Sequence, residues 1–232
     1  MTLARVLITG TGRAGTTLLV QVLTDLGLDT GFSPDAPVDE RARAGLERRL
    51  DDPDGPRIVK SPNVVRRLDE ILAAGTVTIE HAIIPIRDLH VAAASRVRTT
   101  RYGSDLATHG GLLGTRYATR QAESLAMHEH ELMLTLARHE IPHTLLEFPR
   151  FATDWEYTHR QLSFLAPDLP ATRWRDALAA RVDLSLIHEE PLSERERWLT
   201  FLGTTYNRAI ARPLRGASRA VRSALRKSPD GQ

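Results

Sequence analysis

Residues 4–18 read Ala4-Arg5-Val6-Leu7-Ile8-Thr9-Gly10-Thr11-Gly12-Arg13-Ala14-Gly15-Thr16-Thr17-Leu18, and this stretch decides the fold. ARVLIT at 4–9 is a short apolar run ended by Gly10, the pattern of a buried strand. From residue 15 the period changes. Leu18, Leu19, Val22, Leu23 and Leu26 recur at helical spacing, and Gly27 closes the segment. Strand, glycine-rich turn and helix N-terminus in immediate succession make an anion site. Glycine lets the backbone approach an oxyanion, while free N–H groups and the helix dipole favour negative charge.

The alternation continues outward from this unit. RIVK at 57–60 is a short strand stopped by Ser61-Pro62, and a helix follows at about 63–73. HAIIPI at 81–86 is the next strand and 88–99 the next helix. Residues 100–116 are glycine-rich and polar and read as a loop. A long helix at 117–139, a strand at 143–148 (HTLLEF) and a helix at 152–165 precede a mostly helical remainder. Within the Pro-, Gly- and Asp-rich segment 29–56, a short helix is expected around 39–50. Strands alternating with helices predict an α/β fold, a central parallel sheet flanked by helices on both faces. Residues 1–206 are expected to form one domain, and 207–232 a basic C-terminal helix and tail.

Charge separates the same two parts. The chain carries 31 basic and 29 acidic residues, a formal net charge of +2. Residues 207–232 hold seven basic groups and one acid, net +6, so residues 1–206 hold 24 and 28, net −4. A slightly acidic body argues against a nucleic-acid-binding domain, which carries a body-wide positive excess. With 41% hydrophobic and 26% charged residues the composition is that of a globular chain. The absence of Cys removes disulfides and thiolate chemistry, and no run approaches the roughly 18–20 apolar residues of a membrane span. A cytoplasmic protein is the resulting expectation.

Three phosphate-binding templates touch the glycine loop. As Gly-x-Gly-x-x-Gly it is a dinucleotide turn, but that reading needs a second strand soon after the helix, ending in an acid. GLDTGFSPDAP at 27–37 is a poor strand. As Gly-x-x-x-x-Gly-Lys-Ser/Thr it has Thr16 at the position of the phosphate-reaching Lys. In the third template a basic residue, a small residue, Gly, two hydroxyl residues and an apolar residue follow one another. Arg13, Ala14, Gly15, Thr16, Thr17 and Leu18 match that order. A second motif lies far along the chain. Arg87 ends the strand IIPI and Ser95 follows eight residues later on the next helix, where a guanidinium fork and a hydroxyl can share one phosphate.

On these two motifs the chain resembles the sulfotransferases that use 3′-phosphoadenosine 5′-phosphosulfate. Lys60-Ser61-Pro62 after the strand RIV resembles the family's Lys-Ser/Thr segment, and the likeness extends over roughly residues 4–190. It departs from many bacterial members at Glu147-Phe148-Pro149, where Glu-Asp-Leu is usual. The resemblance implies a P-loop-like sulfotransferase fold, as in a bacterial member. It implies transfer of a sulfonyl group to a hydroxyl or amine of a small-molecule, lipid or carbohydrate acceptor, without a metal. By the same resemblance Gly12, Arg13, Ala14, Gly15, Thr16, Thr17 and Leu18 cradle the 5′-phosphosulfate, and Arg87 and Ser95 take the 3′-phosphate. Arg13 and Lys60 meet the departing and sulfonyl oxygens.

The family's usual His two residues after the Lys is replaced by Pro62, so the base is open. Asp35 falls about where carbohydrate-directed members carry a carboxylate, and Asp39, Glu40, Glu47 and His109 are alternatives. His128 and His130 are expected on a helix surface. Arg208, Arg212, Arg215, Arg219, Arg222 and Arg226 recur at helical spacing. That stripe is a solvated basic helix, a cover for the 3′-phosphate through Arg215 and its neighbours, or a peripheral contact to an anionic membrane. Two other functions remain open at this level: an atypical P-loop nucleotide-dependent kinase, and a non-catalytic adenine-nucleotide-binding module.

Overall fold

The computed structural model describes residues 2–39, 44–105, 110–187 and 190–211. Four strands, β1 (Leu3–Ile8), β2 (Ile58–Lys60), β3 (Val77–Ile86) and β4 (His143–Glu147), form one sheet in the order β2-β1-β3-β4. Every pairing is parallel. The helices are α1 (Thr16–Asp25), α2 (Val65–Ala73), α3 (Leu89–Thr99), α4 (Gln121–Arg138), α5 (Arg150–Thr153), α6 (Trp155–Leu162), α7 (Ala171–Arg181) and α8 (Glu194–Tyr206). The expected α/β architecture with a central parallel sheet is therefore present.

The two-residue period of the strands builds two cores. Val6, Ile8, Ile58, Ile83 and Leu146 face one side and pack with Leu19, Val22 and Leu23 of α1, Phe151, Leu162 and Trp174. Leu7, Val59, Ala82 and Ile84 face the other side and pack with Val65 and Leu68 of α2 and Leu132 and Leu136 of α4. A strand segment buried on both faces has no polar alternate positions, which is why VLI at 6–8 and AIIPI at 82–86 read as continuous apolar runs.

Several boundaries differ from the sequence reading, each for a local reason. β3 begins at Val77 rather than 81, because polar Thr78 and Glu80 alternate with buried Val77 and Ile79 while pairing to β1. The helix expected over 152–165 is broken at Asp154, whose carboxylate accepts from the N–H of Tyr157 and starts α6 anew. The short helix expected around 39–50 is absent among the described residues 44–50. Leu46 has φ 55° and Gly45 φ 130°, neither of which a right-handed helix accommodates. Past the expected boundary at 206, Asn207–Ala211 continue α8 in a wider turn. The rest of the arginine stripe, from Arg212, lies outside the described residues.

The strand order positions the site. The connection from β1 leads outward to β2 on one side, and the next leads back past β1 to β3 on the other. The chain ends of β1 and β3 thus flank a topological switch point, where open α/β sheets form a ligand crevice at the carboxyl ends of the strands. The glycine loop follows β1 and Arg87 follows β3.

Candidate functional site

The loop after β1 is built from left-handed residues. Gly10, Gly12, Arg13 and Gly15 have φ values of 127°, 65°, 60° and 76°. Gly15 is the N-cap of α1 and, with no side chain, leaves that helix end without a side-chain cap; the first turn carries no acid. The helix dipole and its N-terminal N–H groups therefore face the loop with no acid in the helix's own first turn. Gly15 is also sterically fixed. A Cβ there would lie 2.7 Å from Phe151 Cζ and 2.8 Å from Phe148 Cδ2. Thr16 and Thr17 are buried on the first turn.

Cations converge on this loop from three other elements. Lys60 is the last residue of β2 and pairs in register with Ile8, the last residue of β1. It is 3% exposed, so a solvated surface lysine is excluded. Its Nζ donates to Thr17 Oγ1 at 2.9 Å and to the carbonyl of Gly45, and lies 3.7 Å from a Glu47 carboxylate oxygen. Arg87 Nη1 donates to the Arg13 carbonyl at 3.0 Å, and the Arg87 guanidinium sits 5.0 Å over the Phe148 ring. Arg13 Nε in turn donates to Ser95 Oγ at 3.0 Å. The two motifs, 82 residues apart between Arg13 and Ser95, meet at one place.

A fourth cation was not legible in the sequence. Arg96, beside Ser95 on α3, is 6% exposed and donates from Nε and Nη2 to the Thr11 carbonyl, at 3.1 and 2.5 Å. It also donates to the carbonyl of Gly111. A Cβ on Gly12 would fall 2.6 Å from Arg96 Nη2, so Gly12 makes room for this guanidinium. A buried Arg inside a helix reads from sequence as a surface residue; only the close glycines of the loop hint that something large packs against them.

Burial and mutual repulsion govern the protonation of this cluster. Burial pulls Lys60 down to about 8, opposed by Glu47 and reinforced by Arg13. Burial, and secondarily Arg13, lowers Arg96 to about 10. Arg13 is lowered by burial and by Arg87, with Asp39 opposing. Positive charge gathered in a desolvated place beside a helix N-terminus is an arrangement that suits an oxyanion.

Not every expected residue joins the cluster. Asp35 is exposed, and its carboxyl is held below its usual range chiefly by a hydrogen bond from Ser33. Asp39 and Glu47 are the carboxylates whose charge reaches Arg13 and Lys60. Glu40, His109 and Arg215 lie outside the described residues. His128, expected on a surface, is 5% exposed, and burial lowers its pKa; His130 is exposed. Among the described residues no group of three or more His, Asp or Glu converges as a metal site. A separate cavity of about 360 Å³ lies against His90, Ala93, Ala94 and Val97 of α3, a different face of the helix from Ser95 and Arg96.

No protein-family model, no curated protein and no solved structure matches the chain.

Two measurements check this geometry. Gly15→Ala combines a left-handed φ with a clash against two phenyl rings and should cost about 2–5 kcal/mol in urea unfolding; a loss below about 1 kcal/mol contradicts the packing. Lys60 gives a signed pH effect. Between about pH 8 and 10.5 the unfolded chain holds this proton and the folded chain does not, so the group's contribution to stability rises with pH there. Wild type should therefore gain stability relative to Lys60→Met from about pH 8 upward, and parallel pH profiles would contradict the burial of the charge.

Proposed function

We propose that the chain is a sulfotransferase of P-loop-like fold that moves a sulfonyl group from 3′-phosphoadenosine 5′-phosphosulfate to a hydroxyl or amine acceptor. The observation that carries this reading is the junction of Arg13, Ser95 and Arg87. Two sequence motifs that resemble the family's 5′- and 3′-phosphate signatures share direct hydrogen bonds. A donor with anions at both ends of its ribose asks for two neighbouring anion-binding elements, and the loop at 10–17 and the Arg87–Ser95 pair are such elements.

The donor, when bound, supplies an activated sulfonyl group on a phosphate leaving group. The chain's own residues would handle the charge. Backbone N–H groups at Gly15–Thr17 and the guanidinium of Arg13 bind and neutralise the 5′-side oxygens. Lys60, held by Thr17, the Gly45 carbonyl and Glu47, presents a compact positive charge where negative charge develops in transfer. Arg96 fixes the loop from behind through the Thr11 carbonyl and so orients rather than touches the donor. Of the carboxylates expected as base, Asp39 is favoured over Asp35 because its charge is felt at Arg13, and Glu47 is favoured as the partner that orients Lys60.

Calorimetry with adenosine 3′,5′-bisphosphate, ATP and NAD in parallel tests the reading. Tightest binding of the bisphosphate is expected, with affinity falling as pH rises through about 8 and Lys60 loses its proton. Tighter binding of ATP with magnesium would favour the kinase instead. Arg87→Ala should abolish the preference for the bisphosphate over adenosine 5′-phosphate, and an unchanged preference would sink the assigned 3′-phosphate site.

A further inference from the structure

Helix α8 is mounted with its polar side inward. Glu196, Thr200, Gly203 and Asn207 share one face; Glu196, Gly203 and Asn207 are tied to the α3 end of the domain. Glu196 accepts from Arg98 at 2.7 and 3.1 Å, and this pairing pulls its carboxyl down to about 2. Thr200 is 2% exposed. Gly203 packs so closely that a Cβ would meet the Tyr102 carbonyl, and Asn207 Nδ2 donates to the Gly103 carbonyl. A capping box at Ser193 and Glu196 fixes the helix start.

The other face carries the large apolar side chains. Trp198 is 68% exposed, Phe201 and Leu202 56% each and Tyr206 49%. Their spacing of three, four and eight residues from Trp198 places them on one side, and the Trp198 and Phe201 rings meet edge-to-face at 6.2 Å. A helix of a water-soluble domain buries its apolar stripe and exposes its polar one; α8 does the reverse. This face was not legible in the sequence, since periodicity says which residues share a side but not which side faces in.

We infer that this face is a docking surface for an anionic lipid bilayer, onto which α8 lies flat. Charge complementarity selects that occupant. The chain continues directly from α8 into residues 207–232, which carry seven basic groups and one acid, whereas residues 1–206 are net −4. Aromatic rings of the Trp and Tyr type settle at the headgroup level, and adjacent arginines are attracted to anionic headgroups. No helix among the described residues is long and apolar enough to cross a membrane, so the contact is one of lying on the surface.

Sedimentation of the full chain with vesicles of pure phosphatidylcholine and of phosphatidylcholine with 30% phosphatidylserine, about the anionic content of a charged leaflet, tests this. Binding to the anionic vesicles alone, weakened by raising salt, is expected. Trp198→Ser/Phe201→Ser should lower the partition coefficient about tenfold or more, with thermal unfolding unchanged because both side chains are exposed. Arg219→Gln/Arg222→Gln/Arg226→Gln should weaken the salt-sensitive part, since four basic groups remain in the segment. Equal binding by wild type and Trp198→Ser/Phe201→Ser overturns the proposal, as does no binding to anionic vesicles. A dimer in light scattering that the same double variant dissolves also overturns it, assigning the face to a second copy.

Discussion

Desolvation of Arg13, Lys60 and Arg96 in one place is the constraint around which the site is organised, and repulsion among the cations adds to it. Arg87 lowers Arg13, and Arg13 lowers both Lys60 and Arg96. Such a cluster is tolerated because backbone carbonyls of Thr11, Arg13, Gly45 and Gly111 accept from its members. Those carbonyls are available because the chain there is irregular. Left-handed glycines and a left-handed Arg13 turn the backbone of one loop, and positive φ at Gly45 and Leu46 turns the other. Left-handed backbone at Arg13 and crowding of positive charge thus occur together in this loop.

The sheet supplies the convergence. β1 sits between β2 and β3, so a loop after β1 can be approached from Lys60 on one side and Arg87 on the other. Register refines this, since Ile8 is paired with both Lys60 and Ile83. Strand order is a non-local property, and nothing in the spacing of apolar residues specifies it. The motifs could be found along the chain, but their meeting could not.

The parts of the fold that were legible are those with local causes. Val6 to Ile8 and Leu19 to Leu23 announce a buried strand and a helix because burial repeats with the period of the backbone. Gly10, Gly12 and Gly15 announce a tight turn running into a helix N-terminus. The illegible parts have long-range causes. Residues 44–50 looked helical by composition, yet Gly45 is held to Lys60 and Arg48 N–H donates to the Lys60 carbonyl. Arg96 looked like a surface residue, yet the loop encloses it. The outward aromatic face of α8 had no signal in the sequence, because the long-range Arg98–Glu196 pair sets which side of the helix faces in.

The proposed function requires that the loop at 10–17 and the Arg87–Ser95 pair form one site for one doubly phosphorylated nucleotide. A crystal structure of the full chain with adenosine 3′,5′-bisphosphate measures this directly. The 5′-phosphate is expected on the N–H groups of the α1 N-terminus, and the 3′-phosphate within hydrogen-bond distance of both Arg87 and Ser95. A bisphosphate bound with its 3′-phosphate away from Arg87 and Ser95, or bound elsewhere on the chain, would contradict it.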